Sequence, residues 1–393
     1  MKIGIDARPL QHETQYRGIG KSLEFLLRAL LEIDHSDQFV FYMDKGLPRP
    51  KLLENFAASP VKLMPTARLG RRRYFRSFLN SFKPISPARR EVDVLLQYDA
   101  GFGVSKKVPC VVIFHDLIPY LFRGEEKQRP VKGLRKAKDA LARTMYWNKY
   151  LRVLKTYKNA AKIIAISSSS KKDLLEYVDG VQENRVVVIG HGLNQLEATG
   201  QVGAKIKNLS KSPYLLYVGG LDIRKNIMGL LQSFYELKPQ HPDLKLVLVG
   251  KEFELKDRLQ DLGWFSLLNT KPNYAKDVIL PGFVTSAELA YLYTNASAFV
   301  FPSRYEGFGL PVLEAMGAGC PVIAYDNSSI PEVAGGAALL VPDGESLTPA
   351  INKILSDSNL SAKLKNAGLA QAKKFSWDST ARQILKILKQ AAG

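Results

Sequence analysis

Two glutamates eight residues apart, Glu306 and Glu314, lie in a segment suited to binding an anionic ligand. An apolar run at 298–302 predicts a strand, a glycine-containing loop follows it, and Pro311 suits the first turn of a helix. Amides at a helix N-terminus attract phosphate, and carboxylates beside them can bind ribose or sugar hydroxyls. The alternative interpretation is a solvated glutamate pair on an ordinary loop.

A second group of candidates follows the apolar run at 214–219, where Gly219 and Gly220 precede Arg224 and Lys225. Cations at the carboxyl end of a strand can bind a diphosphate and stabilise the charge that develops as a nucleotide leaves. The alternative here is a solvated turn before a helix.

The first half of the chain offers a histidine and a pair of glycines. His115 ends an apolar run at 110–116 and precedes Asp116, which we expect to orient the loop. Gly18 and Gly20 come after the first predicted strand and before a helix, where glycine permits close approach of backbone to a phosphate. The letters GIGKS do not make a P-loop, because Gln15 stands where that motif needs glycine. A single histidine can equally be structural.

Strands and helices must position these candidate residues. Continuously apolar runs alternate with helical stretches along the chain, and this pattern predicts doubly wound α/β domains with parallel sheets. The predicted strands are 2–6, 39–43, 92–98, 110–116, 161–167, 185–191, 214–219, 245–249, 278–281, 298–302, 321–325 and 338–341. The predicted helices include 23–33, 227–237 and an amphipathic tail at 376–390, and serines at 167–170 predict a helix cap. The polar segment 194–212 indicates a linker. We therefore expect an N-terminal domain over 1–195, a C-terminal domain over 210–375, and a last segment, 376–393, that packs back on the first domain.

The net charge of +19 is concentrated in two stretches of the first half. Residues 68–90 hold eight basic side chains and no acid, and residues 127–158 hold eleven basic side chains and one acid. Such a patch predicts an anionic partner surface. Only Cys110 and Cys320 are present, which excludes a disulfide framework, and we expect a cytoplasmic protein without a signal peptide or a membrane-spanning helix.

The segment EGFGLPVLEAMGAGCPVI, which starts at Glu306, resembles the E-x7-E motif of the retaining glycosyltransferases of family 4. HDLIP at 115–119 is similar to another segment of that family, and the resemblance extends over most of the chain. It implies the GT-B fold, in which two Rossmann-like domains face each other across a cleft. It also implies site roles. Glu314 binds the donor ribose, Glu306 and His115 lie beside the donor sugar, and the backbone of Phe308, Gly309 and Leu310 lines the phosphate and sugar. Gly18, Gly20 and Gly219 also contact the donor.

The resemblance implies transfer of a sugar from a nucleoside diphosphate with retention of configuration, by a front-face mechanism. Gly220 stands where many members have arginine, which leaves Arg224 and Lys225 to stabilise the leaving phosphate. No D-x-D motif occurs, so we expect neither a metal nor another cofactor. The similarity to mannosyl- and rhamnosyltransferases of surface polysaccharide assembly favours GDP-mannose as donor.

The cationic and aromatic run that holds Arg71, Arg72, Arg73 and Arg76 has a composition common at membrane surfaces. We expect peripheral binding to the inner face of the cell membrane and a saccharide or polyprenyl-linked acceptor. Two alternatives stay open: a basic nucleic-acid-binding protein, which would leave the Glu306 segment unexplained, and a sugar-nucleotide epimerase or phosphorylase of the same fold.

Overall fold

The structure is a computed structural model that describes the chain outside residues 12–17, 34–35, 57–60, 65–84, 86, 99–102, 105, 124–133, 197–199 and 255–274. It divides into two compact units. Unit 1 comprises 1–117, 131–192 and 376–393, and unit 2 comprises 118–130 and 193–375. The sequence placed 118–130 in the first domain. The described part of this segment, 118–123, belongs to unit 2, where Phe122 packs against Tyr305 with ring centroids 6.0 Å apart.

Each unit contains one sheet in which every paired neighbour is parallel. The strands of unit 1 are β1 Lys2–Asp6, β2 Gln38–Asp44, β3 Val61–Met64, β4 Val94–Gln97, β5 Cys110–Phe114, β6 Lys162–Ala165 and β7 Val186–Val188. Those of unit 2 are β8 Tyr214–Val218, β9 Lys245–Val249, β10 Val278–Gly282, β11 Ala298–Phe301, β12 Val322–Asp326 and β13 Leu339–Pro342. The spatial orders are β3-β2-β1-β4-β5-β6-β7 and β10-β9-β8-β11-β12-β13.

The helices connect these strands, and one helix follows the last strand of unit 2 back into unit 1. They are α1 Gly18–Glu32, α2 Ile118–Leu121, α3 Leu134–Leu154, α4 Ser168–Tyr177, α5 Ala204–Lys207, α6 Ile227–Leu237, α7 Ser286–Asn295, α8 Leu310–Gly317, α9 Ile330–Ala334, α10 Thr348–Ser356, α11 Ser358–Ala372 and α12 Trp377–Ala392. No helix within the described ranges is long and apolar enough to cross a lipid bilayer.

The core of each unit is formed largely by the apolar residues of its strands, as the apolar runs in the sequence predicted. β5 is buried along its whole length, as expected for a parallel strand with both faces covered. In unit 1, α1 buries leucines spaced three and four residues apart, and it packs against α12, whose buried face includes Ile384, Leu385 and Leu388. The predicted parallel α/β fold class is confirmed, and both sheets have the Rossmann-like order of the predicted GT-B fold.

Three details differ from the sequence prediction. The strand β3 was missed, because VKLM is a four-residue run at the sheet edge with a lysine in it. The predicted linker contains helical residues, since α5 and a following turn occupy 204–211. The helix predicted from 23 begins at Gly18, so Gly18 and Gly20 lie in its first turn rather than in a loop before it.

In both sheets the strand order reverses beside the first strand of the unit, between β1 and β4 and between β8 and β11. Open α/β sheets bind ligands outside the carboxyl ends of their strands at such a point. The loops that hold the predicted site residues leave the sheets at these edges.

Candidate functional site

In unit 2 the carboxylate of Glu306 accepts three side-chain hydrogen bonds on a single oxygen, Oε1. Arg224 Nη1 lies 2.8 Å away, and Lys225 Nζ and Ser303 Oγ each lie 2.5 Å away. Arg224 Nη1 also donates to the carbonyl of Tyr305 at 2.8 Å. The structure thus brings the adjacent Arg224 and Lys225 together with Glu306, which is distant in sequence, at the edge shared by β8 and β11.

Lys225 is held by a short 3-10 turn at 223–225 that follows β8, and this turn ends at Asn226 in a left-handed conformation with φ 47°. The lysine is only 7% exposed, and its Nζ lies 4.8 Å from the centre of the Phe301 ring, at the end of β11. A buried ammonium needs compensation, and here the aromatic face and the Glu306 carboxylate supply it.

The charges of Glu306 and Lys225 each shift the pKa of the other group. Burial by itself raises the pKa of Glu306, but the charges of Lys225 and Arg224 and the donated hydrogen bonds outweigh that effect, so the pKa lies below its usual value. Burial lowers the pKa of Lys225, and the charge of Glu306 offsets this only in part. Glu306 is therefore an ionised carboxylate and a weak base.

The loop after β12, residues 327–329, fixes the backbone on either side of this carboxylate. Ser328 Oγ accepts from the Glu306 amide at 2.9 Å, and Ser329 Oγ donates to the Glu306 carbonyl at 2.9 Å. Asn327 Nδ2 donates to the carbonyl of Ser303 at 3.2 Å. Ser328 adopts φ 47°, which costs a non-glycine residue about 1–2 kcal/mol. These residues were not predicted from the sequence, although the polar run DNSS at the end of a predicted strand was a usable signal.

Glu314 lies on the fifth residue of α8, half-buried, and its Oε1 accepts from Asn194 Nδ2 at 2.8 Å. Asn194 is itself buried and was assigned to the linker by the sequence analysis. The helix starts after Gly309, whose φ of 100° is open to glycine but strained for other residues. This start places the backbone of Gly309 and Leu310 at the positive end of the helix dipole.

Phe308 and Gly219 were also predicted to contact the donor. The side chain of Phe308 is held by packing, and packing leaves no room for a side chain at Gly219. Phe308 is 5% exposed and packs edge-on against Phe375 with centroids 6.0 Å apart. A Cβ at Gly219 would lie 2.5 Å from Tyr217 Oη, so glycine is required there. At both positions only the backbone remains for a ligand.

In unit 1, His115 follows β5 and is 5% exposed. Its Nε2 lies 2.7 Å from the carbonyl oxygen of Tyr98, which follows β4. A carbonyl only accepts, so Nε2 carries the hydrogen in this arrangement. Ser170 Oγ donates to the His115 carbonyl at 2.7 Å, and Ser167 caps α4 by accepting from the Ser170 amide, as predicted.

Gly18 and Gly20 form the first turn of α1, beside the same edge of the sheet of unit 1. A Cβ at Gly18 would meet no atom within 4 Å, so the neighbouring packing does not require glycine at this position. Their role toward a ligand stays a prediction.

The arginines of the predicted membrane patch, Arg71, Arg72, Arg73 and Arg76, lie outside the described residues. Among the residues that are described, no group of three or more acidic, histidine or cysteine side chains is arranged to hold a metal ion. The positive charge of the site in unit 2 comes instead from Arg224 and Lys225.

Two family profiles match the chain. Residues 16–195 match the family described as Glycosyltransferase Family 4, and residues 201–371 match Glycosyl transferases group 1. Together they span both units.

Two curated relatives from Escherichia coli are mannosyltransferases. The O-antigen chain mannosyltransferase B is 37% identical over 187 residues, which is 45% of each chain. The serotype-specific mannosyltransferase WbdA is 28% identical over 97% of this chain and 47% of its own length. The chain thus spans about half the length of these relatives.

Solved structures share the fold. Sucrose-phosphate synthase from Thermosynechococcus elongatus superposes with a TM-score of 0.67 at 19% identity, covering 99% of this chain and 98% of that one. Anabaena HepE, solved with UDP-glucose, gives a TM-score of 0.68 at 17% identity, covering 99% and 100%. At these identities the likeness concerns the fold alone.

Proposed function

Because the chain belongs to the family 4 glycosyltransferases, we propose that it transfers a sugar, with mannose from GDP-mannose favoured, to a saccharide acceptor in surface polysaccharide assembly. The names of the curated mannosyltransferase relatives support the choice of sugar and pathway. The observation that carries the proposal is the convergence of Arg224 and Lys225 on Glu306, in the same unit as the Glu314 helix.

The site chemistry supports retention by a front-face reaction. In this reaction the bond from the anomeric carbon to the donor phosphate breaks, a bond to the acceptor oxygen forms on the same face, and the acceptor proton passes to the leaving phosphate. Arg224 and Lys225 stabilise the negative charge of that phosphate. Glu306, with a lowered pKa and three donors on one oxygen, is suited to stabilising positive charge on the sugar and poorly suited to abstracting a proton.

The first test is thermal stabilisation by GDP, UDP, ADP, dTDP and CMP. A nucleotide at 100 times its dissociation constant adds roughly 2.7 kcal/mol to folding stability. We expect the largest shift with GDP, lost in Glu314→Ala and kept in Glu345→Ala, an exposed glutamate of the same unit. No shift with any nucleotide would contradict the proposed donor site.

The second test is the reaction itself. Incubation with GDP-mannose and a mannose-terminated oligosaccharide should give a product whose new anomeric centre is α, as in the donor, by NMR. A β product would refute retention, and an epimerised nucleotide sugar without transfer would favour the epimerase alternative.

We propose that this reaction requires neither metal nor another cofactor, because Arg224 and Lys225 supply the positive charge that a divalent ion would bring. Transfer should proceed at the same rate in EDTA and in Mg²⁺. A rate that collapses in EDTA and returns with added metal would refute this part of the proposal.

We also propose that the protein acts in the cytoplasm, on the inner face of the membrane, with a lipid-linked acceptor. Within the described residues, α3 exposes Met145, Leu151 and Arg152, and the exposed Lys155 directly follows the helix, which gives a mixed apolar and basic face. Vesicles containing phosphatidylglycerol should carry the protein in flotation, and phosphatidylcholine vesicles should not. Replacing Arg71, Arg72, Arg73 and Arg76 with serine should weaken binding, by about 1 kcal/mol for each residue that lies near the surface. Absence of flotation at low salt, or a salt-sensitive gel shift with nucleic acid instead, would refute it.

A further inference from the structure

Five aromatic side chains of unit 1 form a continuous series, here called the ring column, from α1 to the candidate site. Its members in order are Phe25, Trp377, His191, His115 and Tyr98. The centroid distances between successive rings are 6.1, 5.3, 5.7 and 5.2 Å. The first pair is stacked with planes 11° apart, and Tyr98 meets His115 edge-on at 63°. The column therefore links His115 to the first residue of the last helix, α12.

Backbone contacts fix the middle of the column to α12. Thr380 Oγ1 donates to the Gly190 carbonyl at 2.9 Å, one residue before His191. A Cβ at Gly192 would lie 2.3 Å from the Trp377 amide nitrogen, so the residue after His191 must be glycine. The three residues 190–192 are thus seated on the start of α12, and the His191 ring is directed onto the Trp377 indole.

The hydrogen bond from His115 Nε2 to the Tyr98 carbonyl orients one nitrogen of the imidazole, and a single hydrogen bond does not by itself define the plane of a ring. A second contact is needed to set the plane of the ring. His191 provides it on one side and Tyr98 on another, and Trp377 holds His191 in place. All five rings are in one unit, so this arrangement is a property of unit 1 alone.

We propose that His191 and Trp377 are positioning residues that hold the His115 imidazole in the orientation required for sugar transfer. This inference rests on the proposed function, in which His115 lies beside the donor sugar. It gives α12 a role in the reaction in addition to its packing against α1.

The experiment compares three variants of the full chain in α12. Trp377→Leu removes the ring, Trp377→Phe keeps a ring, and Leu385→Ala weakens the buried face of the same helix outside the column. Trp377→Leu should lower kcat about tenfold with KM for GDP-mannose little changed, since misplaced groups mainly cost rate. Trp377→Phe should restore most of kcat. Leu385→Ala should lower the melting temperature while kcat per folded molecule stays at the wild-type value. Equal kcat in Trp377→Leu and Leu385→Ala would overturn the proposal.

A second readout does not depend on activity. Two-bond ¹H–¹⁵N NMR of the five histidines, assigned by single substitutions, reports which ring nitrogen of His115 carries the hydrogen. Wild type should show the Nε2–H form, and the ring-proton shifts of His115 should change in Trp377→Leu, because the ring plane then turns relative to the Tyr98 and His191 rings. Unchanged His115 signals in Trp377→Leu would overturn the proposal. A wild-type chain that shows the Nε2–H form but transfers no sugar from any donor would instead contradict the proposed function.

Discussion

The two candidate sites are built by different forces. The site in unit 2 is organised by charge. The ammonium of Lys225 and the guanidinium of Arg224 both donate to one carboxylate oxygen of Glu306, and a polar loop fixes the backbone around that carboxylate. The site in unit 1 is organised by ring packing and by the hydrogen bond from His115 to the Tyr98 carbonyl, with the His115 ring between those of Tyr98 and His191.

This difference predicts how each site fails. Removing one partner of a buried ion pair leaves an uncompensated charge, which costs stability as well as function. Replacing His115 removes its hydrogen bond to the Tyr98 carbonyl and its ring contacts, which should cost less stability than leaving a buried charge without its partner. Substitutions at the two sites should therefore separate loss of function from loss of stability to different degrees.

The largest effect is expected from Glu306→Gln. It removes the charge that compensates Lys225 and Arg224, so kcat should fall roughly 10³-fold and the free energy of unfolding by about 3 kcal/mol. Transfer assays and urea unfolding measure both. Glu345→Gln, at an exposed position of the same unit, should change neither. Wild-type transfer by Glu306→Gln would show that the charge of this carboxylate is dispensable.

Lys225→Met should lower kcat about 10²-fold and also change its pH dependence. The charge of Lys225 lowers the pKa of Glu306 more than the charge of Arg224 does, so loss of Lys225 should raise that pKa. Because the carboxylate must be ionised, the acid limb of the kcat profile should move to higher pH. A lower rate with an unmoved acid limb would mean that Glu306 ionisation does not limit the reaction.

His115→Gln tests the other side of the comparison. We expect a loss in kcat of about 10²-fold with a stability loss of about 1 kcal/mol from the hydrogen bond to the Tyr98 carbonyl. The ratio of functional to stability loss should therefore exceed that of Glu306→Gln. A stability loss as large as that of Glu306→Gln would remove the distinction between the two sites.

His191 should make unit 1 sensitive to acid. Burial, with a smaller contribution from His115, holds its pKa well below the usual 6.5. The unfolded chain then binds the proton first, so stability is complete above about pH 6.5 and falls below it by at most about 1.4 kcal/mol per pH unit. Melting curves between pH 7.5 and 5 should show a steeper fall for wild type than for His191→Asn. Parallel curves would contradict the assignment of this effect to His191.

The smallest effect is expected at Ser328. Ser328→Ala loses the hydrogen bond to the Glu306 amide and keeps the left-handed backbone, so it should cost about 1 kcal/mol. Ser328→Gly loses the same bond but relieves the backbone, so it should be more stable than Ser328→Ala by roughly 1 kcal/mol. Urea unfolding distinguishes the two, and the reverse order would show that the φ of Ser328 carries no strain.

Much of this protein was readable from its sequence. Twelve of the thirteen described strands follow from continuous apolar runs, since a strand covered on both faces has no polar side. The loops after β8 and β11 were recognisable because glycines and charged residues directly follow such runs. The cap of α4 by Ser167 is equally local, since a serine side chain reaches an amide only three residues away.

Contacts between residues that are distant in sequence could not be predicted from the sequence. The sequence assigned Arg224 and Lys225 to a phosphate and Glu306 to a sugar, but it held no sign that all three meet on one oxygen atom. Asn194 was placed in a linker, and His191 at the end of the strand predicted over 185–191, although each contacts a site residue. Local patterns fix which residues end a strand, because burial and hydrogen bonding act over a few residues. The order of strands in a sheet decides which strand ends meet, and that order is set by packing of the whole chain.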